Sequence, residues 1–303
     1  MPKIVSRSTP VPPHRPSRQT PPEPPPLVSG RWLLSAFLLT FLAAALCGYA
    51  TLGLLFYQGQ WQLLFHPSRT ISGTPLKAGI SFDNLEVPIP GSGHSHLNAW
   101  WIPAAPASQY ATDTVLYLHD AQGSLSDTVP ALLTLHSLGI NVFAFDYRGF
   151  GRSDGRHPTE RLATADSVAV WTWLTDTRHI LPRNIVLCGD GTGTVFAVHL
   201  AARFAPAGVI LEDPVPTARQ IFLTDARARI LPLWLLQKEH LDPAPGLARI
   251  HAPLLFLNRS SDATRIRALY NAAPYPKRIY DLHAAPPAAA AETLRRFLDE
   301  VLR

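Results

Sequence analysis

Short apolar runs alternate with amphipathic segments over most of this chain. Residues 85–89 and 97–102 predict two early strands, separated by the turn-forming sequence Pro90-Gly91-Ser92-Gly93. Residues 114–118, 142–145, 185–188, 208–211, 253–257 and 278–282 are apolar runs of strand length with polar or turn residues at their ends. Helical patterns fall between them. Leu162, Ala165, Ala169, Trp173 and Leu174 are spaced for one face of a helix opening near Pro158-Thr159-Glu160. Val195, Val198 and Ala202 mark another, and residues 263–270 a third. Strands alternating with helices predict an α/β fold, a mostly parallel, doubly wound sheet with helices on both faces. In such sheets chemistry sits just past the carboxyl ends of the strands.

The N-terminal pattern differs. Residues 32–57 contain no charged side chain and are mostly Leu, Ala, Phe and Tyr. At about 1.5 Å rise per residue such a helix crosses a hydrocarbon core of about 30 Å. A cleaved signal peptide would have a shorter apolar core and a small-x-small cleavage site. Lipid attachment at Cys47 would want a small residue where Leu46 stands. A transmembrane helix over residues 31–57 is therefore expected, with Trp32, Tyr57 and Trp61 as interfacial aromatics. A juxtamembrane segment (58–81) and a globular domain (82–303) follow.

Composition adds a tail and removes a function class. Residues 1–30 are rich in proline and poor in large apolar side chains, so they are expected to be disordered or polyproline-like. The formal charge of +5 is concentrated there and at the adjoining Arg31, in Lys3, Arg7, Arg15, Arg18 and Arg31 against Glu23. The rest of the chain is nearly neutral, which argues against a nucleic-acid partner. The same basic tail, ahead of the span, predicts a cytoplasmic N-terminus and a domain on the non-cytoplasmic side. Cys47 and Cys188 fall in an apolar segment and a predicted core strand, a poor arrangement for a disulfide.

The strand ends carry a resemblance. Phe143-Ala144-Phe145-Asp146-Tyr147-Arg148-Gly149-Phe150-Gly151-Arg152-Ser153 resembles the D-x-R-G-x-G-x-S segment of the α/β-hydrolase superfamily. Val115-Leu116-Tyr117-Leu118-His119 followed by Gly123 resembles that family's strand and His-Gly oxyanion loop, and Gly189-Asp190-Gly191-Thr192-Gly193 has the outline of its G-x-S-x-G elbow. The likeness covers residues 82–303 and is strongest to membrane-anchored serine hydrolases without a large cap. It implies the α/β-hydrolase fold, a nucleophile at the elbow, a histidine after the last strand and an acid after the one before it.

The chain departs from that pattern at several of those points. Gly191 occupies the nucleophile position, and glycine cannot attack a carbonyl. Asp262 stands at the acid position. His283 is the candidate base, but it falls early, the aligned position lying near Pro287. Asp120, Ala121 and Thr192 form the expected oxyanion region, where Asp120 brings a carboxylate to a place that must stabilise negative charge. Losing a triad nucleophile costs on the order of 10⁶ in turnover. The elbow nucleophile sits in a strained backbone conformation, so glycine there removes chemistry and relieves strain.

The leading expectation is a pseudo-hydrolase with a binding or scaffold role, holding an acyl or lipid-like ligand against Trp100, Trp101 or Trp234. The alternative is an active ester, thioester or acyl hydrolase using a displaced nucleophile such as Asp190. A third reading gathers Asp120, Asp190 and Asp262 around a cation. No cofactor or resident metal is implied, and the protein partner is not specified by the sequence.

Overall fold

The computed structural model describes residues 28–303 apart from Ser92 and His94. The proline-rich tail and the middle of the 90–93 turn therefore lie outside the described residues. The chain divides into two units, residues 1–51 and 52–303. Helix α1, Gly30–Gly59, supplies the described part of the first unit and continues into the second. It has a mean hydropathy of 2.0 in its most apolar window and is long and apolar enough to cross a membrane.

In the second unit eight strands form one sheet. They are β1 (Asp83–Pro88), β2 (His96–Ile102), β3 (Tyr110–Leu118), β4 (Ile140–Phe145), β5 (Ile185–Asp190), β6 (Gly208–Glu212), β7 (Leu254–Asn258) and β8 (Lys277–Asp281). Each corresponds to one of the eight apolar runs. Their spatial order is β1-β2-β4-β3-β5-β6-β7-β8. β2 is antiparallel to both β1 and β4, and the remaining pairs are parallel.

Alternate residues of the central strands enter two cores. Leu116, Leu118, Leu187 and Phe256 pack on one face with Val195 and Phe196 of α4 (Gly193–Arg203) and Val170 of α3 (Glu160–Thr172). Val115, Tyr117, Cys188 and Leu255 pack on the other with Leu132 and Leu135 of α2 (Leu125–His136) and Phe297 and Leu298 of α6 (Pro287–Val301). Burial on both faces is why these strands read as continuous apolar runs. The helices start where local chemistry tells them to. A capping box joins Ser124 and Asp127 at α2, and the Thr159 side chain accepts from the Leu162 amide at α3.

α3 and the turn after it keep most of the predicted face: Ala169 and Leu174 are buried and Leu162 and Trp173 half-buried, whereas Ala165 is exposed. The buried side also takes in Ala163, Asp166, Ser167 and Val170. An ion pair accounts for the inward carboxylate. Arg148 donates from Nε to Asp166 Oδ1 at 2.6 Å and from its backbone amide to Oδ2 at 2.8 Å, which turns a carboxylate inward. The third predicted helix is α5, Thr264–Ala272.

Candidate active site

Strand β5 ends at Asp190, and Gly191 makes the turn into α4 with φ +55°. That left-handed conformation is the strained backbone expected of the elbow, and glycine adopts it without a Cβ penalty. The flanking glycines are demanded by packing. A Cβ on Gly189 would lie 2.6 Å from the Gly193 carbonyl oxygen, and one on Gly193 would overlap the Leu118 carbonyl. The elbow outline is therefore a requirement of close strand–helix approach, independent of any chemistry.

The register of the sheet explains what stands beside Gly191. β3 and β5 are parallel neighbours with Leu118 paired to Gly189. Two residues further along each strand come Asp120 and Gly191. A Cβ on Gly191 would fall 2.5 Å from Asp120 Cγ and Oδ1 and 2.9 Å from its Cβ. The Asp120 carboxylate thus fills the volume into which a side chain at 191 would project. Its Oδ1 also accepts the backbone N–H of Thr192 at 2.8 Å. In the fold's catalytic geometry the amide after the nucleophile stabilises the oxyanion; here an internal carboxylate already takes that donor. Gly191, Thr192 and Ala121 are buried and Asp120 is half-buried.

The loop carrying Asp120 is held from several sides. Tyr147 Oη donates to the His119 carbonyl at 3.1 Å, and the Ala121 carbonyl accepts from the His66 amide at 2.8 Å. Asp146 Oδ1 accepts the Leu125 amide at 2.9 Å, tying the start of α2 to the end of β4. His119 is fully buried, its Nδ1 2.6 Å from the Asp120 carbonyl oxygen, and burial lowers its pKa to about 4. Burial raises the Asp146 carboxyl to about 7. Ser153 Oγ donates to the Asp146 carbonyl at 2.5 Å and accepts the Asn98 amide at 2.8 Å. Together with the Arg148–Asp166 pair, these bonds give the D-x-R-G-x-G-x-S segment an architectural task.

The other sequence candidates are hydrogen-bonded to other groups. Asp190 shares the sheet face of Cys188, and its Oδ2 accepts from Tyr117 Oη at 3.0 Å. Burial, with Asp120 and Asp213 nearby, raises its pKa, while the Tyr117 bond works the other way. Glu212 lies on the adjacent strand, paired with Arg259, and burial pushes its carboxyl up to about 7. Asp262 is exposed at the start of α5, where Oδ1 accepts the Thr264 amide at 2.9 Å and that bonding holds its pKa down. His283 is exposed after β8, its Nδ1 3.1 Å from the Arg259 carbonyl oxygen. No hydrogen bond joins Asp262 to His283 among the described residues. The five-residue link from β8 ends at Pro286, immediately before α6.

The three tryptophans divide between core and surface. Trp234 is 82% exposed on a short helix, Leu233–Leu236, and Trp100 is 2% exposed within a core. Trp101 is half-buried against Phe143, with the Arg178 guanidinium over its ring. These side chains do not line a pocket above Gly191. Nor do Asp120, Asp190 and Asp262 form a cation cluster: each carboxylate accepts from a different donor. Among the described residues no three His, Cys, Asp or Glu side chains are grouped to hold a metal ion. Sequence reasoning also missed the Asp120–Gly191 fit; the signal was present in two unusual residues at equal offsets from paired strand ends.

Comparison with known proteins fits this geometry. The Hydrolase_4 family model, described as serine aminopeptidase, S33, matches residues 111–277, from β3 to the start of β8. The chain belongs to this α/β-hydrolase family. The match takes in Asp120, the elbow and Asp262 and stops before His283. An uncharacterized protein of Mycobacterium tuberculosis is 28% identical over 253 residues, covering 80% of this chain and 88% of its own length. Alpha/beta hydrolase domain-containing protein 17C of Homo sapiens is 34% identical over 134 residues, which is 44% of this chain and 40% of that protein. A Pyrococcus furiosus esterase superposes with a TM-score of 0.59 at 18% identity, covering 79% of this chain and 98% of the esterase. Est1E from Butyrivibrio proteoclasticus, solved with ferulic acid bound, gives 0.57 at 16% identity, covering 72% and 99%. At those identities the structural likeness speaks for the fold alone.

Proposed function

We propose that this chain is a membrane-anchored member of the α/β-hydrolase fold that no longer hydrolyses, and that it serves a binding or scaffold role. One observation carries the reading: the Asp120 carboxylate occupies the side-chain space of residue 191 and takes the Thr192 amide. The site lacks a nucleophile side chain and places negative charge where an acyl-transfer intermediate would develop its own. Asp190 is a poor substitute nucleophile because it bonds Tyr117 on the Cys188 side of the sheet. The apolar α1 and the basic tail before it support a single-pass anchor with a cytoplasmic N-terminus and the domain on the other side. With Gly191 buried, an acyl or lipid-like ligand has better space in the groove of about 530 Å³ that includes Leu55, Phe56, Trp61 and Leu231.

Short acyl-ester turnover and phosphonate labelling of the purified full chain test the reading. Wild type is expected to show neither. The Gly191→Ser variant is expected to stay unlabelled, because the new side chain meets Asp120. Wild-type turnover abolished by Asp190→Asn or Asp120→Asn would overturn the proposal and reinstate a carboxylate nucleophile.

A further inference from the structure

The segment between β6 and β7 carries an apolar surface with no role in the site. Ile230 is 62% exposed, Trp234 82% and Leu235 63%, while their neighbours Leu231 and Leu233 are buried. The buried pair anchors the segment, so the exposed side chains are presented by a fixed support. That support is fastened to the end of α1. Gln60, itself buried, donates from Nε2 to the Leu236 carbonyl at 2.6 Å and accepts the Lys238 amide on Oε1 at 2.9 Å. The Lys238 ammonium lies 3.3 Å from the centroid of the Tyr57 ring, and Phe56 meets Phe222 edge-on at 5.1 Å. Gly53 faces Leu236 closely enough that an added Cβ would stand 3.6 Å from its Cδ1.

We propose that Ile230, Trp234 and Leu235 insert into the headgroup–acyl boundary of a phospholipid bilayer, giving the domain a second membrane contact beside its anchor. The occupant follows from continuity. The contacts set Leu233–Leu236 alongside residues 53–60, where the apolar run of α1 gives way to Gln58, Gly59 and Gln60 and a spanning helix would meet the membrane interface. Tryptophan favours that boundary, where its ring is in an apolar layer and its N–H reaches polar groups. Tyr57 and Lys238 at the same level are an aromatic and a cation of the kind that mark such interfaces. The inference rests on the membrane-anchor reading, and its test must separate the two.

The full chain is reconstituted in phosphatidylcholine–phosphatidylglycerol vesicles with a nitroxide at one position at a time. The positions are native Cys47 and, in a Cys47→Ser background, Leu235→Cys and Leu181→Cys. Cys188 is buried and stays unlabelled. Leu181, 50% exposed, precedes β5 at the amino ends of the parallel strands and serves as the aqueous reference. The expected result is a ratio of oxygen to nickel-chelate accessibility severalfold higher at 47 and at 235 than at 181. A lipid-like reading at 47 with an aqueous one at 235 would overturn the second contact and leave the anchor. An aqueous reading at 47 with a lipid-like one at 235 would remove the anchor and support the surface contact, and aqueous readings at both would remove both. Quenching by brominated lipids gives an independent measure: Trp234→Phe is expected to lose a quenchable component of the wild-type fluorescence. An unchanged quenched fraction counts against the insertion.

Discussion

The fit between Gly191 and Asp120 predicts a specific energetic coupling. In Gly191→Ala the new Cβ must adopt φ near +55°, which costs about 1–2 kcal/mol for a residue with a side chain. It also collides with Asp120 Cγ and Oδ1 at 2.5 Å. The carboxylate must swing away and lose the Thr192 amide, a charge-assisted bond whose removal costs roughly 1.5–3 kcal/mol. The single variant is therefore destabilised by about 3–5 kcal/mol. Asp120→Ala loses only the bond, about 1.5–3 kcal/mol. With Asp120 already truncated, Gly191→Ala meets no carboxylate and adds its backbone cost together with a close approach to the Cβ that remains at position 120, 2.9 Å away. The double variant should thus be at most slightly less stable than Gly191→Ala alone, with a coupling of about 1–2 kcal/mol. Urea unfolding of the four proteins in mild detergent, followed by near-ultraviolet circular dichroism, measures the cycle. Additivity to within about 0.5 kcal/mol would show that the carboxylate does not hold that space.

Other consequences follow from single groups. The Glu212 carboxyl moves from its ordinary 4.5 to about 7 in the fold, so the folded chain binds the extra proton between those values. Compared with Glu212→Gln, wild-type stability should fall as pH rises from 4.5 to 7 by about 3 kcal/mol, then stay level; a constant gap across paired unfolding curves refutes it. Arg148→Ala leaves Asp166 buried without its cation and should cost about 3 kcal/mol, with Arg148→Lys recovering only part because lysine cannot reproduce the planar guanidinium geometry. Both are read from melting temperature, and an unchanged value for either would contradict the paired geometry. Gly193→Ala drives a Cβ into the Leu118 carbonyl and should abolish near-ultraviolet dichroism; a native spectrum would mean that the strand–helix approach is looser.

The central strands β4 to β7 were legible because both faces of the sheet are buried there, which leaves runs of apolar residues that little alternation interrupts; the edge strands β1 and β8, largely exposed or half-buried, were legible from their short apolar stretches and flanking turn residues. The inward Asp166 of α3 was not legible for a related reason. Hydrophobic periodicity counts Asp166 as a solvent residue, whereas the Arg148 guanidinium and amide make its inward position tolerable. The site illustrates the same limit. Gly191 and Asp120 each stood out against the family outline, but a one-dimensional reading treats them as separate departures. The register of β3 and β5 makes them one arrangement: Leu118 pairs with Gly189, and equal offsets carry the two residues to the same place. A side chain removed from one strand and a longer one supplied by its neighbour keep that space filled, since an empty buried volume forfeits packing contacts. The carboxylate that fills it also satisfies a buried amide, which would otherwise cost about 1–3 kcal/mol. The Asp120–Gly191 arrangement therefore preserves the elbow's packing and hydrogen bonding without a side chain at 191. Packing alone accounts for an elbow that keeps its glycines whether or not residue 191 carries a nucleophile.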